Sequence, residues 1–341
     1  MNGRVRGALG VLAAAAAVAL VVLLPHVLSD GRAFEFARAG TFFVAILGLN
    51  LLTGYTGQIS LGHGAFMAIG AYTTAIFVAD FGIRDVWTIP IAGVVAAVAG
   101  FVVGLPALRL TGLYLALVTF ALAVAMPSLL KKDVCVGHHH CLTGGSAGIN
   151  LFEKRLNDLT GAATQKVTVL GHTFTQNDFF YYLTWGIGLL LTGVAWLLLR
   201  GRAGRAFRAI RDSEIAATSS GVHLATYKTL AFAISGFYAG VAGSLFLLVS
   251  LNGFAGPQAF QFSLSLWLLV GAVVGGLGSL PALALGALFI EYMLIWAQDI
   301  SKSSGAPSVF FGAAIVVVMI LLPTGAGGLL RRLAEPLTRR L

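Results

Sequence analysis

The feature that most constrains this chain is a series of long apolar segments that follow one another along its length. A segment of about 20 apolar residues is what a helix needs to cross the hydrocarbon core of a bilayer. Hydrophobic residues make up 58% of the chain and charged residues only 10%, so a water-soluble domain could not bury this much apolar surface. The chain is therefore predicted to be an all-α polytopic membrane protein.

About ten transmembrane helices can be drawn from these segments. They lie near 8–28, 37–54, 58–79, 88–108, 112–130, 179–199, 229–251, 262–279, 281–298 and 307–323. The glycine-rich junctions at 53–57 and 278–281 are expected to be broken or re-entrant, because such backbone is tolerated at membrane depth where protein or a cavity shields it. The first segment resembles a signal peptide, but its apolar run is too long for one and we expect it to be retained.

The net charge of +9 could indicate a nucleic-acid-binding protein, but the positions of the basic residues argue against this class. They fall in short clusters between apolar segments: at Arg4 and Arg6, between 200 and 211, and between 331 and 340. Basic residues gather on the cytoplasmic side of polytopic membrane proteins. Both termini and the stretch 200–228 are therefore predicted to be cytoplasmic, and the segment 131–178 extracytoplasmic.

The chain contains no linker that would divide it, so residues 1–341 are expected to form a single transmembrane domain. The long outer loop 131–178 is predicted to form a small folded cap. It contains Cys135 and Cys141, which we expect to form a disulfide because this side of the membrane is oxidising. The alternatives are that the two cysteines stay unpaired or that they bind a metal ion together with the three neighbouring histidines. We predict no metal site.

The inner stretch 200–228 is basic at its start and then amphipathic. Ser213 or Asp212 could cap a short helix, Glu214 would lie in its first turn, and Gly221 could end it. Two interpretations follow from this pattern. The helix could lie on the lipid surface, or it could dock onto a cytoplasmic partner.

The residues Glu214-Ile215-Ala216-Ala217, followed by Gly221, resemble the EAA…G loop of ABC importer permeases. In that family the loop forms a coupling helix that sits in a cleft of the ATPase subunit. The stretch RAFRAIRDSEIAATSSGV is similar to the LivM-type branched-chain amino acid permeases in particular. Further resemblance lies in LGLNLLTGYTGQISLGHGAFMAIGAY (47–72), LRLTGLYLALVTF (108–120), TGGSAGI (143–149), GGLGSL (275–280) and PTGAGGLL (323–330). One departure is Pro281, since the family usually has a Gly and a Pro near Ala282 and Leu283.

The resemblance covers about residues 40–330 and implies a permease subunit of the bacterial inner membrane. It implies a LivH-type permease partner, two cytoplasmic ABC ATPase subunits and an external binding protein that delivers branched-chain amino acids. Urea and short amides are the alternative substrates. The residues expected to couple the permease to the ATPase are Arg211, Asp212, Glu214, Ala216, Ala217 and Gly221.

Polar residues inside membrane spans are candidates for function. Asn50, Gln58, Ser60 and His63 lie at or near the first break and could line a translocation path. The alternative is that they only hold packed helices together by hydrogen bonds. Glu291 is expected to face protein or to lie near the outer interface, because a charge at the centre of a span is costly.

Several classes of function are disfavoured by what the sequence lacks. It contains no glycine-rich phosphate-binding loop of the Walker type and no recognisable catalytic triad or zinc-protease motif. We therefore predict that the chain is not an enzyme and needs no cofactor, and that ATP is hydrolysed by a separate subunit. A channel or secondary carrier acting alone remains an alternative, although intramembrane acid–base pairs are scarce.

Overall fold

The computed structural model describes residues 18–19, 21–26, 29–108, 110, 112–132, 144–151, 166–169, 172–300, 309–310, 312–313, 316–317 and 325–328. The helices are α1 (Asp30–Leu49), α2 (His63–Ala79), α3 (Asp85–Ala107), α4 (Leu113–Leu130), α5 (Gln176–Arg200), α6 (Arg202–Asp212), α7 (Glu214–Ser219), α8 (Leu224–Leu245), α9 (Phe262–Gly275) and α10 (Leu283–Ile300). The strands are β1 (Ile149–Asn150), β2 (Lys166–Val169), β3 (His172–Thr175) and β4 (Phe254–Ala255). Strands β2 and β3 form an antiparallel hairpin, and β1 pairs antiparallel with β4.

Six helices in the described residues are long and apolar enough to cross a membrane: α1, α3, α4, α5, α8 and α10. Helices α2 and α9 are apolar but shorter, with 17 and 14 residues. These helices confirm the prediction of an all-α polytopic membrane protein. The predicted spans near 8–28 and 307–323 lie largely outside the described residues, so the count of about ten stays a prediction.

The bundle has two ends that can be told apart by the elements between its helices. Helix α5 begins directly after the hairpin of β2 and β3, and it ends at the turn into α6. We call these the hairpin end and the α6 end. Helix α1 runs alongside α5 in the same direction, since the indole of Trp185 donates to the carbonyl of Phe36 at 2.9 Å and stacks on Phe43.

Helix α8 lies at the centre of the bundle and packs through small residues. A side chain at Gly240 would collide with Ala96 of α3, and one at Gly243 would collide with the backbone of Met67 in α2. Glycine at such crossings lets two helix backbones approach closely inside a membrane. This close contact explains why α1 and α8 are the most buried of the six long helices.

Two breaks interrupt the membrane-spanning part of the bundle. The first, residues 56–62, leads from the α6 end to the start of α2, and the second, residues 251–261, leads from the hairpin end to the start of α9. The two helix starts meet inside the bundle, where the amide of Gly64 donates to the hydroxyl of Ser265 at 2.9 Å. From this point α2 runs to the hairpin end and α9 runs to the α6 end.

The same order of elements therefore occurs twice, in opposite directions. Helix α1 continues into a π-helix at Asn50–Tyr55 before the first break and α2. Helix α8 continues into a π-helix at Phe246–Ser250 before the second break and α9. Two inverted units whose broken helices meet at the middle of the membrane are an arrangement found in transporters.

Candidate functional site

The short helix α7 forms the outermost part of the α6 end. The extended backbone of Ser213 starts it, and the Ser213 hydroxyl accepts a hydrogen bond from the amide of Ala216 at 3.2 Å. After the last turn Gly221 has φ +83°, a left-handed conformation that suits glycine and ends the helix. The predicted start at Ser213 and end at Gly221 match this geometry.

Helix α6 fixes α7 to the rest of the bundle. Its apolar side chains Phe207 and Ile210 are buried, and the Phe207 ring meets the edge of Tyr227 with centroids 6.4 Å apart. The guanidinium of Arg208 donates to the carbonyl of Leu199 at the end of α5, at 3.1 Å. These contacts hold α6 against both α5 and α8.

An ion pair braces α7 against α8. The Lys228 ammonium lies 2.7 Å from the Glu214 carboxylate, and the Lys228 side chain is only 3% exposed. A nearly buried ammonium needs such a partner, because an unpaired charge in this position is strongly destabilising. Glu214 therefore points back toward the bundle and does not form the tip of the loop. Sequence reasoning missed Lys228, whose only signal was a single lysine in the otherwise uncharged start of α8.

The outward tip of α7 is apolar. Ile215 is 82% exposed, while Ala217 on the opposite side is buried. The hydroxyls of Thr218 and Ser219 accept no outside partner in the described residues and instead donate to carbonyls one turn earlier. The surface that α7 offers is therefore an isoleucine surrounded by small polar residues.

Arg211, near the end of α6, connects this loop to the first break and to the turn after α9. Its guanidinium donates a hydrogen bond to the carbonyl of Gly54, where α1 ends. Its side chain also packs against Gly57 and Gly278, whose Cβ atoms, if present, would lie 3.3 Å from Arg211 Cγ and Nη1 respectively. Both glycines have positive φ values. Arg211 thus touches the first break and the segment that follows α9.

Asn50 joins the same two segments from inside. The buried Asn50 side chain accepts from the amide of Gly278 at 2.8 Å and donates to the carbonyl of Ser279 at 3.3 Å. The hydroxyl of Tyr55 donates to the carbonyl of Gly278 at 2.8 Å. The π-helix of α1 and the turn after α9 are therefore held together by side-chain to backbone hydrogen bonds.

The other three candidate path residues lie further along the first break, away from Asn50's contacts. His63 begins α2, and its Nε2 is 3.3 Å from the hydroxyl of Ser235 in α8. The Ser60 hydroxyl accepts from the amide of Gly62 at 3.3 Å. Among the described residues, the Gln58 amide group and His63 Nδ1 are buried without a hydrogen-bond partner. The four residues therefore do not share one set of contacts: Asn50 contacts the turn after α9, Gln58 bonds through its backbone to Leu52 and Thr53, and His63 faces α8.

Glu291 is fully buried and faces protein, one of the two positions expected from the sequence. Its carboxylate lies 3.4 Å from the guanidinium of Arg38 in α1. Sequence reasoning missed Arg38 because the predicted span began near 37, whereas α1 begins at Asp30. This pair holds α1 to α10 near the hairpin end and lies apart from the breaks.

Among the residues that the structure describes, no group of three or more His, Cys, Asp or Glu residues is placed to hold a metal ion. The predicted disulfide partners Cys135 and Cys141 lie outside the described residues.

Residues 31–322 match the family described as branched-chain amino acid transport system / permease component. The chain belongs to this family. The permease is 34% identical over 324 residues to the LivM high-affinity branched-chain amino acid transport system permease protein of Escherichia coli K12, covering 91% of this chain and 73% of that protein.

Two further relatives are more distant permeases. The LivH permease protein of Salmonella typhimurium is 25% identical over 297 residues, covering 84% of this chain and 91% of LivH. The BraD permease protein of Pseudomonas aeruginosa is 22% identical over 303 residues, covering 84% of this chain and 92% of BraD. No solved structure matches the permease. These relatives are named as transport permeases and not as enzymes, which confirms the transport class predicted from the sequence.

Proposed function

We propose that this permease is a membrane-spanning subunit of an ABC importer in the bacterial inner membrane. It moves branched-chain amino acids delivered by an external binding protein, and separate ATPase subunits drive it. The observation that carries the proposal is the construction of the loop at the α6 end. Its exposed tip at Ile215 suits docking into a partner's cleft, and its base at Arg211 reaches the first break and the turn after α9.

The α6 end lies in the cytoplasm in this proposal, and both termini lie on the same side. Arg202, Arg205 and Arg208 carry positive charge on α6, the type of residue that gathers on cytoplasmic surfaces. Arg200 adds to this cluster and lies over the ring of Trp196, 3.5 Å from its centroid. Tryptophan is frequent at the boundary between headgroups and acyl chains, so this contact supports a membrane surface at the start of α6.

In the proposed mechanism, closure of the ATPase pair moves α7, and the contacts described above carry that motion inward. The Glu214–Lys228 pair moves α8 with α7. Arg211 moves the end of α1 and the turn after α9. Asp212 ends α6 next to the Ser213 cap, and Ala216 and Ala217 keep α7 narrow, while Gly221 permits the sharp exit toward α8.

The translocation path is proposed to pass the two breaks. Asn50 holds the π-helix of α1 to Gly278 and Ser279, so it closes the path at the cytoplasmic end when these hydrogen bonds are made. Gln58, Ser60 and His63 provide polar groups along the first break and the start of α2, where the unpartnered Gln58 amide is available to a passing polar group. Separation of the breaks would open the path toward the cytoplasm.

The proposed partner subunits are inferred from the family match and from the loop at the α6 end. The permease matches both LivM and LivH, which are named as permease proteins of a high-affinity branched-chain amino acid transport system. We therefore propose a LivH-type permease as its second membrane subunit, together with two ABC ATPase subunits and a substrate-binding protein. Urea and short amides are the substrates to be tested against branched-chain amino acids.

Reconstitution tests the proposed function directly. The permease, its second permease, the two ATPases and the binding protein are placed in proteoliposomes with ATP inside, and uptake of labelled leucine is measured. We expect uptake to require ATP and the binding protein, and to stop when the ATPase carries an inactive Walker motif. Uptake that continues without ATP would show that the permease acts as a channel or carrier. If urea or acetamide competed with labelled leucine for uptake, the proposed substrate class would change.

A further inference from the structure

The two breaks lie within the membrane-spanning part of the protein and meet one side of α4. The amide of Leu61 donates to the Thr119 hydroxyl at 3.0 Å, and the ring of Phe120 meets Phe262 with centroids 4.6 Å apart. Thr119 lies about 9 Å along α4 from Leu113, at about 1.5 Å per residue. The first break and the first residue of α9, which directly follows the second break, therefore reach α4 well inside its span.

Part of each break is uncovered, and in the first break the uncovered part begins beside Arg211 at the α6 end. Ile59 is 46% exposed, and Gly57 and Gln261 are also exposed, although Gln58 and Ser60 beside them are buried. Leu117, Phe120 and Val124 of α4 are exposed next to these positions. We call this surface, made of residues 57–61, residues 261–262 and the three α4 side chains, the break face.

Lipid cannot cover the break face. Some backbone groups of the first break are paired, such as the Leu61 amide with Thr119. Even so, irregular backbone inside a bilayer is tolerated only where protein or a water-filled cavity shields it from lipid. The exposed primary amide of Gln261 adds a polar side chain at the same depth. By contrast, the exposed residues of α5, such as Leu190 and Leu197, are apolar and lie on regular helix that lipid can cover.

Two described residues of the terminal regions contact other parts of the bundle. The hydroxyl of Tyr182 in α5 donates to the carbonyl of Val22 at 3.2 Å, which places the end of the first span against α5. Gly327 lies against Ser279, which places this part of the C-terminal region beside the turn after α9 at the α6 end. Neither of these two contacts involves the break face.

We propose that the break face is the surface on which a second permease subunit of the same fold packs, with the breaks of the two subunits facing one another. This inference rests on the proposed function for the existence of that subunit. The match of this chain to both LivM and LivH indicates that the two permeases share one fold. Two homologous subunits that present the same face to each other form a pseudo-twofold interface. The uncovered backbone then borders a shared water-filled path.

Cysteine cross-linking in the complete transporter tests the surface. Cys135 and Cys141 are first replaced by Ser, and Ile59→Cys or Gln261→Cys is then combined with a cysteine at the aligned position of the second permease. Leu190→Cys on α5, which is 64% exposed, is the matched control. With copper phenanthroline we expect a cross-linked band of the two different permeases from positions 59 and 261, and none from position 190. Cross-linking only from position 190, or a band containing two copies of this chain, would overturn the proposal.

Spin labelling gives a second readout that does not depend on cross-linking geometry. A nitroxide at position 59 in transporter-loaded nanodiscs is expected to be at least about threefold less accessible to dissolved oxygen than one at position 190, because oxygen concentrates in acyl chains. Equal accessibility at the two positions would show that lipid covers the break face. Co-purification of the ATPases and ATP-driven uptake are measured on the same samples. If both persist while the break face is accessible to lipid, this inference fails and the proposed function stands; if neither occurs with the unsubstituted chain, the proposed function fails.

Discussion

At the scale of single residues, the charged groups with structural roles are those that are paired inside the protein. Lys228 and Arg38 each meet a carboxylate on a different helix. Glu214 and Glu291 were identifiable from the sequence as unusual positions, but their partners were not. Neither pair lies at the spacing of three or four residues at which side chains meet on one helix, so neither could be predicted from local pattern.

The first prediction concerns the Glu214–Lys228 pair. Glu214→Gln removes the charge that compensates a nearly buried ammonium, and we expect a loss of about 1.5–3 kcal/mol in stability, the range for hydrogen bonds to charged groups. The double variant Glu214→Gln/Lys228→Met is expected to recover part of the loss, because no uncompensated charge remains. Thermal unfolding of the purified transporter measures the stability of both variants. If the losses of stability caused by the two single changes simply added in the double variant, that result would contradict the pairing.

Arg211 gives the second prediction, which separates docking of the ATPase from coupling to it. Arg211→Met removes the hydrogen bond to Gly54 and the contact with Gly278, and we expect leucine uptake to fall at least about tenfold while the ATPases still co-purify. Arg211→Lys is expected to recover little, because an ammonium cannot reproduce the planar fork of a guanidinium. Arg205→Met on the exposed side of α6 is the control. Equal uptake by the Arg211 and Arg205 variants would remove Arg211 from the mechanism.

At the scale of elements, the sequence predicted those features that depend on local pattern. The apolar segments predicted the long helices, the glycine-rich junction at 53–57 predicted the first break, and Ser213 with Gly221 predicted the bounds of α7. The junction at 278–281 is instead a turn between α9 and α10, and the second break at 251–261 was not predicted. The meeting of α2 and α9 at Gly64 and Ser265 was not predictable, because it joins residues 201 positions apart. The different surroundings of Asn50 and His63 were not predictable for the same reason, since the hydrogen-bond partners of each side chain lie far away in the sequence.

The third prediction is that Ile215 anchors α7 in the ATPase. Burial of an isoleucine side chain contributes about 1.5–3 kcal/mol, so Ile215→Ala is expected to weaken ATPase binding by about one to two orders of magnitude. Ser219→Ala, on the same short helix, is expected to bind almost as the unsubstituted permease does. Binding of the purified ATPase to the permease in nanodiscs provides the measurement. Unchanged affinity for Ile215→Ala would place the contact elsewhere.

The fourth prediction concerns the central position of α8. A methyl group at Gly243 would meet the carbonyl of Met67, so Gly243→Ala is expected to cost about 1–3 kcal/mol through overpacking. Gly193→Ala in α5 is the matched control, because a methyl group there has no neighbour within 4 Å. Thermal unfolding in detergent is expected to separate the two variants clearly. Equal unfolding temperatures would mean that α8 does not pack through this glycine.

At the scale of the whole molecule, the inverted order of elements places two movable segments next to the coupling loop. Helices α2 and α9 start from one meeting point and leave it in opposite directions, and the end of α1 and the turn after α9 both return to the α6 end. Asn50 and Arg211 bridge these two returning segments from the inside and the outside. A motion that separates the segments must break both bridges, so in the proposed mechanism a single loop controls access to the path.

The fifth prediction follows from that arrangement. In a background with Cys135 and Cys141 replaced by Ser, the pair Asn50→Cys and Ser279→Cys lies where the Asn50 amide and the Ser279 carbonyl are 3.3 Å apart. Oxidation is expected to bridge the two segments and to stop leucine uptake, and dithiothreitol is expected to restore it. Each single cysteine variant should be insensitive to oxidant. Because the bridge leaves α7 untouched, ATPase binding should persist in the oxidised transporter, which distinguishes a closed path from a lost partner. Full uptake by the oxidised double variant would show that these segments need not separate during transport.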